Sequence, residues 1–433
     1  MDSHSAIWEH CLESAVLSDI GLRRSNNQDS FAVMLASSQE KWELRGHLFI
    51  VADGMGAHAA GELASKLATD VVPLAYGKLM DRPPPEALLA AVQDANFQIH
   101  SRGSASDDFR GMGTTVSALV LCPQGAVVAH VGDSRVYRLR GSRLEQLTFD
   151  HSLVWELRAA KQAPQDNVAN FIPKNIITRS LGPNAQVQID LEGPQPIQMG
   201  NTFLLCSDGL SGQVNDDELG QVLMTLPPGE AVRALVDVAN LRGGPDNITV
   251  IAVRVKGPQK AKEGGARTPS AQFERERPPV HPAVWSAMGV LVLAAPLLLA
   301  IGQKIAALGA LLGALVAAAI AAVQKFGGGA SQDAARRWGR GPYSASDGTP
   351  GAAFSAKLAE MTQQLRDAAA SAHWQVAWDA FWKHESRAAS AANAAEFGEA
   401  VREYCRAISC MMEQLRHQAD RNAVPGASPP SPV

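Results

Sequence analysis

Twice in this chain an apolar run ends in Asp-Gly, and an Asp-Asn pair opens a third such run. Leu48 to Ala52 leads into Asp53-Gly54, with Gly56 beyond and helical spacing from Ala59. Phe203 to Cys206 leads through Ser207 into Asp208-Gly209, and Gly244-Pro-Asp246-Asn247 leads into the β-branched run Ile248 to Val253. Short apolar runs of this kind read as buried strands. Glycine beside the acid lets backbone carbonyls come close to a ligand. A single Asp-Gly after a strand is an ordinary turn. Here the acids are scattered from Asp29 to Asp246, with Arg24 and Gln28 beside the first of them. That spread predicts one site assembled by the fold, and carboxylates with carbonyls suit a hard divalent cation.

In chain order stand Asp19-Ile-Gly21, Arg24 with Gln28-Asp29, Val51-Ala-Asp53-Gly-Met-Gly56, Gly111-Met-Gly-Thr-Thr115, Val131-Gly-Asp133-Ser-Arg135, Ser207-Asp208-Gly209 and Asp246-Asn247. In order and spacing these resemble the protein phosphatase 2C family, in its bacterial branch of metal-dependent Ser/Thr phosphatases, over residues 10–256. The resemblance implies an α+β fold, an antiparallel β-sandwich flanked by helices with metals at one end. It implies hydrolysis of phosphoserine and phosphothreonine by a metal-bridging hydroxide, with no protein nucleophile. The cofactors would be two ions, Mn²⁺ or Mg²⁺, with a weaker third.

Carried over residue by residue, Asp53 bridges both ions, the Gly54 carbonyl binds one, and Asp208 and Asp246 ligate the other. Gln28 and Asp29 act mainly through metal-bound waters, and Arg24 holds the substrate phosphate with its bidentate fork. Asp133, with Asp208, matches the acids of the third ion, although Gly212 stands where many relatives have a further acid. Asn247 and His58 support this set. His58 is expected to make a structural hydrogen bond at a helix start, leaving a metal-bound water to protonate the departing serine. Met55 occupies the place of the general-acid histidine proposed in eukaryotic relatives, Ala57 replaces a usual glycine, and Leu153 to Lys174 matches the family's variable flap.

The chain has 433 residues, enough for two or three domains, and its net charge of −4 points to no nucleic-acid partner. Its five cysteines lack metal-ligand spacing and read as core residues of a reducing compartment. No signal peptide is evident in the N-terminal residues. Residues 1–256 read as the catalytic domain, with strands near Ala15–Leu22, Phe31–Leu35 and Leu48–Ala52 and long helices over Gly61–Leu79 and Pro85–Ser101. Residues 257–282 are charged and rich in Gly and Pro, a disordered linker. Ala283–Gly302 and Ile305–Val323 carry no charge, and only Gln303-Lys304 separates them. Each is long enough to span a bilayer, so residues 283–324 are expected to be a transmembrane helix pair. Basic residues on both flanks place the catalytic domain and the C-terminus in the cytoplasm; one tilted span, or a re-entrant pair, is the alternative.

Residues 325–351 read as a second linker and 421–433 as a disordered tail. Between them, 352–420 read as a module of two or three amphipathic helices, with an aromatic face at Trp374, Trp378, Phe381 and Trp382. Val401, Tyr404, Cys405, Ile408, Met411, Met412 and Leu415 form a stripe at helical spacing. The expected partners are phosphorylated proteins, Ser/Thr kinases with their substrates, and a membrane. A weakly active scaffold or sensor coupled to the C-terminal helices is the alternative, against which the intact acids Asp29, Asp53, Asp208 and Asp246 argue. A third reading makes the C-terminal helices the main business of a membrane interaction protein, regulated by its phosphatase domain.

Overall fold

Along β3 (His47–Met55) consecutive side chains enter two different cores. Leu48, Ile50 and Ala52 pack beneath helices, whereas Phe49 and Val51 face a second sheet. A strand buried on both faces reads as one apolar run, and for that reason Leu48–Ala52 shows no polar alternation.

A computed structural model describes residues 11–56, 59–159, 176–257, 338–372 and 378–423, with single positions at 294, 296, 300–302, 374 and 376. The chain begins β1 (Leu12–Asp19), β2 (Asp29–Met34), α1 (Gln39–Arg45), β3, α2 (Ala60–Lys78) and α3 (Pro84–Ser104). It continues β4 (Gly113–Thr114), β5 (Val116–Cys122), β6 (Gly125–Val131), β7 (Arg135–Arg140), β8 (Arg143–Gln146) and α4 (Leu153–Ala159). Then follow β9 (Asp190–Gln195), β10 (Thr202–Cys206), α5 (Asp208–Ser211), α6 (Asp216–Thr225), α7 (Pro228–Leu241) and β11 (Ile248–Val255). Beyond the undescribed stretch come β12 (Ser344–Asp347), α8 (Ala352–Ser371), α9 (Trp378–Asn393) and α10 (Phe397–Ala423).

One sheet runs β1-β11-β10-β7-β8-β12 and the other β2-β3-β5-β6-β9, with β4 also on β3. Every named strand pairing is antiparallel. The sheets meet through Phe49, Val51, Leu119, Leu121, Phe203 and Ile251 with their neighbours. Each such fully buried side chain contributes about 1.5–3 kcal/mol. Helices α2 and α3 cover the second sheet through Ala64, Ala68, Leu88 and Ile99, while α6 and α7 cover the first through Leu219, Val222, Leu235 and Val238. This is the expected helix-flanked antiparallel sandwich. Strand β1 stops at Asp19, short of the expected Leu22, because Gly21 turns the chain at φ +78°.

The C-terminal boundaries differ from the sequence reading. Residues 344–347, assigned to a linker, pair with β8 as the edge of the first sheet. Helices α8–α10 are no separate module: Phe354, Leu358, Phe381, Val401, Ile408 and Met411 join the core of α6 and α7. The described residues of 1–261 and 337–433 accordingly form one compact unit. The expected transmembrane pair at 283–324 lies outside the described residues except at the single positions named above. Among the described residues no helix is long and apolar enough to cross a membrane.

Candidate active site

The inter-sheet layer changes character along its length. On β3 the row Phe49, Val51 continues to Asp53; on β5 the row Leu121, Leu119 continues to Ser117 and on to Thr115. On β11 the row Val253, Ile251 continues to Thr249 and Asn247, and on β10 Phe203, Leu205 continues to Ser207. Period-two alternation puts each of these polar groups on the inner face, so the sandwich is apolar along its body and polar at one end.

Five acids gather there. Asp29 and Asp53 are direct cross-strand partners on β2 and β3, a like-charged pair that costs stability by itself. Asp208 begins α5 at the end of β10, Asp246 precedes β11, and Asp133 lies between β6 and β7. Burial pushes the carboxyls of Asp29, Asp53, Asp133 and Asp208 above the usual carboxylate range, and the neighbouring acids raise them further. Asp29 Oδ1, Asp133 Oδ1 and Asp208 Oδ1 are buried and accept no hydrogen bond from the described residues. Buried acceptors left without donors are rare, and a cluster of them on mutually repelling acids fits a bound cation. Among the described residues no three His, Cys, Asp or Glu side chains form a ready cage for one ion. A site that also draws on backbone carbonyl and water needs fewer side chains around each ion.

The surrounding polar residues hold these acids in place. Ser207 Oγ donates to Asp29 Oδ2 at 2.7 Å and accepts from Thr249 N at 2.9 Å. Asp53 is fixed through its backbone: its N–H donates to Thr115 Oγ1 at 2.9 Å and its carbonyl accepts from Thr115 N and Thr114 Oγ1, each at 2.9 Å. Thr115 Oγ1 in turn meets Ser134 Oγ at 2.8 Å, beside Asp133. Asn247, almost fully buried, accepts from Gln28 N at 2.8 Å and donates to the carbonyls of Ile20 and Asn26 at 2.9 and 3.0 Å.

That Asn247 bond diverts a ladder. Gly54 N donates to Gln28 O at 3.1 Å, so a continuing antiparallel ladder would return Gln28 N to the Gly54 carbonyl. Gln28 N goes to Asn247 instead, which releases the Gly54 carbonyl at the acidic end of the sandwich. The glycines make this approach possible: a Cβ on Gly54 would stand 2.1 Å from Gly61 O, and one on Gly209 2.0 Å from Asn247 O. In each Asp-Gly the acid therefore faces the site while the glycine admits a neighbouring backbone.

The structure thus brings together Arg24, Gln28, Asp29, Asp53, Gly54, Asp133, Asp208, Asp246 and Asn247. Arg24, half exposed, pairs with Asp246 through Nη2–Oδ2 at 2.7 Å. Gln28 turns its amide against Gly61, where an added Cβ would meet Nε2 at 2.8 Å, and serves the site through its backbone. Gly212 carries no acid near Asp208, and its N–H donates to the Asp208 carbonyl at 2.7 Å. His58, Ala57 and most of the flap lie outside the described residues. Sequence reasoning gave no role to Thr114, Thr115, Ser207 or Arg135, although each stood in a quoted motif. Arg135 is a mostly buried cation that binds Asp150 through Nε and Nη2 at 2.7–3.1 Å and Tyr137 Oη at 2.9 Å.

An antiparallel sandwich between helical layers, with a cluster of acids carrying unpartnered oxygens at one end and an arginine beside it, defines a metallophosphatase-type architecture. The protein phosphatase 2C family model matches residues 23–228. The protein phosphatase PhpP of Streptococcus pneumoniae is 35% identical over 246 residues, 56% of this chain and 97% of that protein. The serine/threonine phosphatase stp of Listeria welshimeri is 36% identical over 250 residues, covering 57% and 96%. The crystal structure of the Mycobacterium tuberculosis serine/threonine phosphatase PstP/Ppp superposes with a TM-score of 0.51 at 33% identity, covering 57% of this chain and 99% of that one. The chain belongs to the protein phosphatase 2C family, as a bacterial-type protein serine/threonine phosphatase.

Proposed function

We propose that Asp53, Asp208 and Asp246, with the released Gly54 carbonyl, hold two divalent ions, Mn²⁺ or Mg²⁺, for hydrolysis of phosphoserine and phosphothreonine esters. The observation that carries this reading is the set of buried carboxylate oxygens without donors at the polar end of the sandwich. Bound ions supply positive charge against the phosphate oxygens and a water of lowered pKa. The residues of the chain do the rest. Asp29, tied by Ser207, orients water beside the ions with Gln28, and Asp133 with Asp208 makes a weaker third position. Arg24 has five N–H donors and commits one to Asp246, so its remaining fork is available to a phosphate. The carboxylates are held before substrate arrives, so little reorganisation accompanies the reaction.

In the full chain, Asp53→Asn should abolish phosphopeptide turnover, and Mn²⁺ should raise the thermal midpoint of the wild type but not of the variant. Turnover in Asp53→Asn, or an equal Mn²⁺ shift in both, would overturn the assignment. We further propose that the enzyme is anchored at a membrane by 283–324, with its catalytic unit cytoplasmic, where it opposes Ser/Thr kinases. The charge-free runs Ala283–Gly302 and Ile305–Val323 and their basic flanks support this. A cysteine at Gln303 should react with an impermeant thiol reagent outside intact cells and one at Ser331 should not; the reverse pattern contradicts the topology.

A further inference from the structure

Strand β2 is an edge of its sheet, with β3 on one side and no strand on the other among the described residues. Its register fixes which backbone groups point where. Gly54 N donates to Gln28 O, so even-numbered residues of β2 exchange ladder bonds with β3 and odd-numbered ones face away. Asp29 agrees: its N–H goes to Asn27 Oδ1 at 3.1 Å and not into the ladder. Phe31 and Val33 therefore present their N–H and C=O groups at the free edge. Their side chains lie on the same face as Asp29, and they are 41% and 39% exposed, with Leu35 beyond them at 51%. Natural edges are usually blunted by lysine, proline, a bulge or a covering element. Residues 31–35, Phe-Ala-Val-Met-Leu, have no such residue.

Backbone groups unpaired among the described residues and exposed apolar side chains thus coincide on the same two residues, in line with an acid of the active site. We propose that this edge is where the phosphorylated segment of a protein substrate docks, as an added antiparallel strand on β2. The inference rests on the phosphatase reading and adds to it the conformation and side-chain pattern of the substrate. The occupant is argued from continuity, since the row Phe31, Val33 leads directly to Asp29 and, through its cross-strand partner, to Asp53. An added strand lies about 4.8 Å from its neighbour. A phosphoresidue opposite Asp29 then projects its phosphate over that carboxylate toward Asp53 and Arg24. The residues two and four positions before it fall opposite Phe31 and Val33, with their N–H groups on β2 and their side chains on the apolar row. The preferred substrate is an extended phosphopeptide with apolar, β-branched residues at those two positions, recognised by backbone bonds and alternate side chains.

The test uses the full chain with Mn²⁺ and phosphothreonine peptides that carry valine two and four positions before the phosphoresidue. N-methylation at either valine should lower kcat/KM by up to about tenfold, the worth of one hydrogen bond, and valine→aspartate there should do likewise. N-methylation one or three positions before the phosphoresidue should change it less than about twofold, because those N–H groups face away. A flat scan, or losses at the odd positions, would overturn the docked strand while leaving the phosphatase reading intact. If neither the peptides nor p-nitrophenyl phosphate were hydrolysed, that reading would fail and take this inference with it. A dimer, seen by sedimentation, that suppresses peptide turnover but spares p-nitrophenyl phosphate would assign the edge to a second copy and likewise overturn the proposal.

Discussion

Asn247 does more for the site than its neutral side chain suggests. It makes three hydrogen bonds that join the segment before β2 to β11, and it releases the Gly54 carbonyl. Asn247→Asp keeps an acceptor for Gln28 N but removes both donations and adds charge beside Asp246. It should lose about 2–3 kcal/mol of stability, as expected for buried acceptors left unmet, and bind Mn²⁺ about tenfold more weakly; calorimetric titration would decide. A second prediction concerns pH. His130, fully buried between Ser117 Oγ and the Phe149 carbonyl, is pushed down to about 3, first by burial and then by His151. Its folded pKa lies below the unfolded value near 6.5, so its contribution is complete above that pH and is lost as pH falls toward 3. Between pH 6 and 4 the wild type should lose stability more steeply than His130→Gln, by about 1.4 kcal/mol per pH unit for one proton. Parallel slopes in chemical denaturation would contradict it.

Among the elements, α10 is joined to the catalytic fold by polar as well as apolar contacts. Arg416 Nη1 pairs with Asp237 Oδ1 at 2.6 Å, and Asp237 is wholly buried on α7. Arg402 Nε donates to the Thr225 carbonyl at 3.0 Å and Arg406 Nε to Glu230 Oε2 at 2.7 Å. Arg416→Ala strands a buried carboxylate and should cost about 3 kcal/mol, whereas Arg416→Leu combined with Asp237→Leu should recover most of it. Equal losses in both would show that the stranded charge is not what costs the stability. The sequence made part of this element legible. The stripe from Val401 to Leu415 announces a buried face, because helical spacing reports that a side is covered. It does not report by what, so the partner α6–α7 was invisible. The acids were legible for the opposite reason: each sits where an apolar run starts or stops, and a run's end is a local property. Strand β12 gave no signal, since Ser344-Ala-Ser-Asp347 has little β propensity and pairs only because β8 offers an edge. Ser207 and Thr115 were hidden similarly, because a hydroxyl next to an acid has many roles and only tertiary register selects one.

At the scale of the molecule, residues 338–351 act as a strap across the side of the sandwich. Trp338 exchanges backbone hydrogen bonds with Gly193 on β9, at 2.6 and 3.0 Å, and β12 then closes the other sheet at β8. Between these contacts, Glu192 on β9 accepts from Gly341 N at 3.0 Å and from the Tyr343 hydroxyl. Before the undescribed stretch, Lys256 N donates to the Cys11 carbonyl at 2.7 Å. Both ends of the 258–337 stretch are therefore fastened to the same folded body.

A chain fastened at both ends of an excursion does not depend on the excursion for its unity. If a protease site placed at Gly265 were cut, the two pieces would still share a sheet, a core and the Arg416–Asp237 pair, and should travel together through gel filtration until denaturant parts them. The protein would behave as a self-complementing split enzyme. Pieces that drifted apart on cutting would show that covalent continuity, not the strap and helices, keeps the halves together. If they stay joined, a second cut on the far side of the intervening stretch would excise it without dismantling the catalytic unit, so an anchor there, if that is its role, could be removed while the catalyst stays whole.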